Sequence, residues 1–95
     1  MNELDGVWDV QRVSGWLPPL VGVHKRIRGA RGKTTVAGVG APFDVVGHEL
    51  RYRGPLRGLV DFLEPAADGG WEGRATFLGR EYGRFRLTPL RERAS

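Results

Sequence analysis

The sequence predicts an all-β fold: a small antiparallel up-and-down meander barrel of about eight short strands. Three observations carry this expectation. Fifteen glycines and six prolines fall in turn-like groups about every ten residues, the rhythm of a sandwich or barrel. No stretch of a dozen residues is free of both and also spaces its apolar residues at the helical period. The ends also answer each other. Gly6-Val7-Trp8 near the start and Tyr82-Gly83-Arg84-Phe85-Arg86-Leu87 near the finish read as first and last strands that meet.

The predicted strands run roughly over 5–14, 20–28, 33–38, 42–46, 49–53, 57–64, 70–78 and 81–88. The first alternates Gly6, Trp8, Val10, Arg12 and Ser14 with Asp5, Val7, Asp9, Gln11 and Val13, and the Trp8 side reads as the interior. Trp16, with Leu17-Pro18-Pro19-Leu20, reads as a wide apolar loop. In the second strand Val21, Val23 and Ile27 oppose His24, Arg26 and Arg28. Next comes a hairpin with a two-residue turn at Gly47-His48, because a type II′ turn wants glycine first. That register sets Val45 opposite Leu50, Phe43 opposite Tyr52, and Asp44 opposite Arg51 as an outer ion pair. The sixth strand sets Val60 and Phe62 against Leu59, Asp61 and Leu63. A second hairpin, turning at Gly79-Arg80, pairs Phe77 with Tyr82 and puts Arg84 on their face, opposite Ala75. Residues 1–90 make one domain and 91–95 a flexible tail.

The composition excludes several function classes. With no cysteine there is no disulfide, thiolate zinc site or thiol nucleophile. No apolar run approaches the ~20 residues of a membrane helix, and no signal peptide is visible, so a cytoplasmic protein is expected. The formal net charge is +4, and thirteen of the fifteen cations are arginine. Acids interleave with them along the chain, so a nucleic-acid partner is judged unlikely.

Gly6-Val7-Trp8 and the arginine on the last strand resemble the calycin superfamily of lipocalins and fatty-acid-binding proteins. Trp71-Glu72-Gly73-Arg74 and Gly79-Arg80-Glu81-Tyr82-Gly83-Arg84-Phe85 are similar to endings in uncharacterised lipocalin-like proteins of high-GC bacteria. The resemblance implies that Gly6 and Trp8 close one end of the barrel, with Arg84 (or Arg86) packed across the tryptophan. It also implies a non-catalytic role in holding a small apolar or amphipathic ligand inside. The calycins are longer, so short strands point to a filled interior or a shallow cavity.

Other motifs carry less. Gly-Lys-Thr at 32–34 lacks the upstream glycine and following helix of a phosphate-binding loop, and reads as a turn between strands. His24 and His48 have no ligand spacing around them, so no metal or cofactor is expected. Arg12, on the Trp8 face, is either a headgroup clamp or half of an ion pair at the rim. With Trp16, Tyr52, Phe62, Trp71 and Tyr82 it makes the expected ligand site. The alternatives are a barrel cyclase, isomerase or dehydratase using Asp61, Glu64 or His24, and a single-strand nucleic-acid binder using exposed arginines and aromatics. A homodimer through Leu59, Leu63, Phe85 and Leu87 is also possible.

Overall fold

The computed structural model describes residues 3–15 and 22–90. Eight antiparallel strands form a closed barrel in sequence order, each paired with the next and the last paired with the first. They are β1 (Gly6–Gly15), β2 (His24–Arg28), β3 (Arg31–Val36), β4 (Val39–Val46), β5 (Glu49–Tyr52), β6 (Leu59–Pro65), β7 (Trp71–Phe77) and β8 (Arg80–Pro89), with one 3₁₀ turn at Gly54–Leu56. The expected meander is therefore the fold. The expected tail, 91–95, and Trp16 in its loop lie outside the described residues.

The Gly47-His48 turn sets the expected register: Val45↔Leu50, Asp44↔Arg51 and Phe43↔Tyr52. Gly47 takes φ +61°, which an L side chain adopts only with strain. The outer ion pair differs from expectation. Arg51 bonds Glu49 on its own strand at 2.9 Å, and Asp44 lies 3.9 Å from Arg53 instead.

The last hairpin turns one residue earlier than expected, at Leu78-Gly79, with φ of +51° and +86°. A type I′ turn needs both central residues at positive φ, and here a leucine fills the first. A one-residue shift reverses the faces of a strand. Phe77 now pairs with Arg80 and stands 50% exposed. The register slips again between Ala75 and Thr76, which leaves Tyr82 unpaired and turned toward the interior.

The end of the barrel marked by Gly6, the Gly29-Ala30 turn and the Gly47-His48 turn is packed solid. Leu4, Trp8, Ile27, Val45, Leu50, Leu63, Trp71 and Leu87 are all buried there. Fully burying a leucine contributes roughly 1.5–3 kcal/mol, and Leu4, Leu50 and Leu87 are each 0% exposed. The Trp8 indole N–H donates to the Leu4 carbonyl at 2.8 Å, so the segment before β1 seals this floor. His48 stacks edge-on against Trp71, 4.9 Å between ring centres, and its Nε2 meets Glu3 Oε1 at 2.5 Å.

Two cross-strand Gly–Phe pairs set the middle of the barrel. Gly32 faces Phe43 and Gly73 faces Phe85, and each ring lies over its glycine where a Cβ would stand. Leu63, Phe85 and Leu87 belong to this core, at 3%, 4% and 0% exposure, so they do not form an outer dimer face.

Candidate functional site

The other half of the barrel interior is polar at its centre. Period-2 alternation aims Lys25 inward from β2, Thr34 from β3, Tyr52 from β5 and Asp61 from β6. The Lys25 ammonium donates to Thr34 Oγ1 at 2.7 Å and to Tyr52 Oη at 2.6 Å, and lies 3.3 Å from Asp61 Oδ2. Its three hydrogens thus have three acceptors. Thr34 Oγ1 and Tyr52 Oη share a further 2.6 Å hydrogen bond. The rings of Phe43, Tyr52 and Phe85 stand 5.5, 5.3 and 5.5 Å from the ammonium, within the range of cation–π attraction.

Both charges are out of water, with the Lys25 and Asp61 side chains 5% and 7% exposed. Burial pushes the Asp61 carboxyl above its ordinary range, against the opposing pull of Lys25 and of the hydrogen bonds from Lys25 and Tyr52. Burial also works against the Lys25 charge, but Tyr52 and Asp61 outweigh it and hold the ammonium above its usual value. Tyr82 is raised by burial first and then by Asp61 and Tyr52.

A cavity of about 190 Å³ opens beside this cluster. Val10, Val23, Ala41, Leu59, Ala75 and Phe85 give it an apolar wall, and Lys25, Thr34, Tyr52, Asp61 and Tyr82 give it polar groups. Asp61 Oδ2 is taken up by Lys25 and Tyr52. Asp61 Oδ1 has no protein partner among the described residues, yet no buried side-chain oxygen is left unsatisfied. This second oxygen is therefore accessible from the cavity.

Of the expected ligand residues, Tyr52 and Tyr82 line this space. Trp71 does not, because it is buried in the packed floor at 4% exposure. Phe62 points outward and carries the Arg74 guanidinium 5.3 Å from its ring centre. Arg12 shares the register of buried Phe85 but is exposed where β1 nears the open end, so it is no interior clamp. Arg84 is exposed and bonds Glu81 at 3.1 Å. It pairs with Ser14, whereas Trp8 pairs with Pro89, five residues further along β8. That separation is roughly 17 Å of strand, so Arg84 does not pack across Trp8. Arg86 is exposed as well. Gly6 opens β1 at φ +136°, a conformation suited to glycine, with Trp8 folded beneath it.

Lys25 and Thr34 join the candidate site although neither belongs to the expected ligand residues. The available signal was parity, since Lys25 lies between Val23 and Ile27 on the apolar face of β2. Among the described residues no three His, Asp or Glu side chains gather in a metal-binding group, and no helix is long and apolar enough to cross a membrane. No protein-family model matches this chain, and no curated protein or solved structure matches it either.

Proposed function

We propose that the barrel binds a small amphipathic molecule in the cavity beside Lys25 and Asp61, as a calycin-like carrier does. The observation that carries this reading is the free side of Asp61. A buried carboxylate with one oxygen open to a cavity that has one apolar wall attracts a hydrogen-bond donor with an apolar body. Size sets the second limit. An apolar cavity of about 150 Å³ accepts benzene, so a space of about 190 Å³ suits a single ring or a short branched chain, and a long acyl chain exceeds it. The preferred ligand is thus a one-ring or short aliphatic body carrying a hydroxyl, amine or amide N–H.

The test is a thermal-shift series with phenol, cyclohexanol, benzene and dodecanoate. A ligand at a hundred times its Kd stabilises the fold by about 2.7 kcal/mol. Phenol and cyclohexanol are expected to raise the melting temperature more than benzene, and dodecanoate to leave it unchanged. No response to any small donor would overturn the reading.

One observation favours a second reading. Asp61 points inward with its carboxyl held above the usual range, which suits a general acid or base acting on a small apolar substrate. Turnover of such a substrate that Asp61→Asn abolishes, while ligand binding persists, would favour catalysis over carriage.

A further inference from the structure

The outer wall of β2 and β3 carries a cationic block that neither the interior site nor the fold requires. Arg26 stands directly opposite Lys33, and Arg28 directly opposite Arg31. All four are exposed. Like charges directly opposite on one sheet face destabilise the pairing. Elsewhere the barrel relieves the same conflict: Arg74 faces Arg84, and Glu81 bridges both at 4.0 and 3.1 Å. Among the described residues the four side chains on β2 and β3 make no ion pair or hydrogen bond with an acid. Asp44, in register with Arg31, lies against Arg53, and Asp5 Oδ1 accepts the Gly29 N–H.

The four cations edge a concave groove of about 730 Å³, with Val7, Ile27, Gly32 and Pro42 among its other lining residues and Asp5 as the acid that lines it. No aromatic side chain lines it, so a base would find no stacking platform. Arginine favours phosphate oxygens, which it grips bidentately. None of the large exposed apolar side chains among the described residues lines it, so it offers no anchor to a bilayer. We infer that this wall binds the phosphodiester backbone of a nucleic acid, without reading sequence. Acids interleave with arginines along the chain, but pairing of β2 with β3 gathers on one wall four cations that make no ion pair among the described residues.

The test is fluorescence anisotropy with a labelled 20-base-pair DNA duplex of arbitrary sequence, titrated at several salt concentrations. Four phosphate contacts give a slope of log K against log salt near −3.6, so a fourfold rise in salt lowers affinity about 150-fold. Arg26→Glu/Arg31→Glu is expected to lower affinity at least tenfold and to flatten the slope by about 1.8. The same variant makes both β2–β3 pairs attractive but sets a glutamate opposite Asp44, so its melting curve is recorded beside its affinity. Arg26→Gln/Arg31→Gln should also weaken binding without loss of fold. Arg74→Gln/Arg84→Gln, on another wall, should leave affinity at its original value. The inference is overturned if the first pair of changes leaves affinity intact. It is also overturned if the control pair weakens binding equally, or if phosphatidylserine vesicles capture the protein and the duplex does not.

Discussion

Lys25 Nζ and Asp61 Oδ2 face each other at 3.3 Å inside the barrel, on strands that are not neighbours in the sheet. The pair therefore ties opposite walls together across the interior. Removing one partner strands the other charge in a dry site, which costs about 3–5 kcal/mol. Lys25→Met and Asp61→Leu are each expected to lose that much in chemical denaturation. The double variant is expected to recover most of it, because replacing a buried pair with apolar groups is often neutral or stabilising. If the losses simply add, the two residues are not coupled.

Alkaline pH should unfold the protein through the same cluster. The Lys25 ammonium is held above its ordinary 10.5 in the folded state. Its contribution is complete below about pH 10.5 and is lost as pH rises through the folded value. Tyr82, raised above 10.0, acts in the same direction. Melting temperature should therefore fall beyond pH 10.5, and less steeply in the Lys25→Met/Asp61→Leu variant.

The acid limb has its own sign. Asp61 is raised above 3.8, so the folded state holds its proton more tightly than the unfolded chain does. Its contribution is greatest below pH 3.8 and is lost as pH rises through the folded value. Asp61→Asn should remove this decline, which a series of melting curves between pH 3 and pH 8 would reveal against the other carboxylates.

Gly73→Ala tests the seat of Phe85. A methyl group at Gly73 would overlap the Phe85 ring, which borders the cavity and lies 5.5 Å from Lys25 Nζ. Overpacking of this kind costs about 1–3 kcal/mol. The variant should also alter the response to phenol, because the ring cannot move without reshaping the cavity. Gly38→Ala meets open space at a positive-φ turn and should change stability without touching ligand response.

The sequence carried the barrel well because turn chemistry and alternation agreed along most of its length. The Gly47-His48 turn fixed a whole hairpin, since glycine stood where a type II′ turn needs it. The Leu78-Gly79 turn is hard to see in the sequence because leucine at positive φ is uncommon, which favours glycine for the first turn position. That single step puts Phe77 and Arg84 on the inner face, whereas both stand exposed; Tyr82 reaches the interior only because the register slips again beside it. Ala37-Gly38 follows the same pattern, with φ of +49° and +82°, and ended β3 earlier than expected. The site was harder to see. Its members come from β2, β3, β5 and β6, and the lysine was hidden among outward arginines that differ from it only in parity. Asp61, on the apolar side of its strand, and Tyr52, opposite Phe43, were the visible traces of the cluster.

The pairing of β1 with β8, from Trp8↔Pro89 to Gly15↔Gly83, joins the two extremes of the described chain. It constrains how the molecule is born. Contacts that span so much sequence carry a large loop-closure entropy and slow folding. Until residue 89 has left the ribosome, the growing sheet has two open edges, and β1 presents unpaired backbone groups to any neighbouring strand. Ring closure by the last strand ends that exposure, so changes that weaken β8 should first appear as aggregation during synthesis rather than as a failing of the finished barrel.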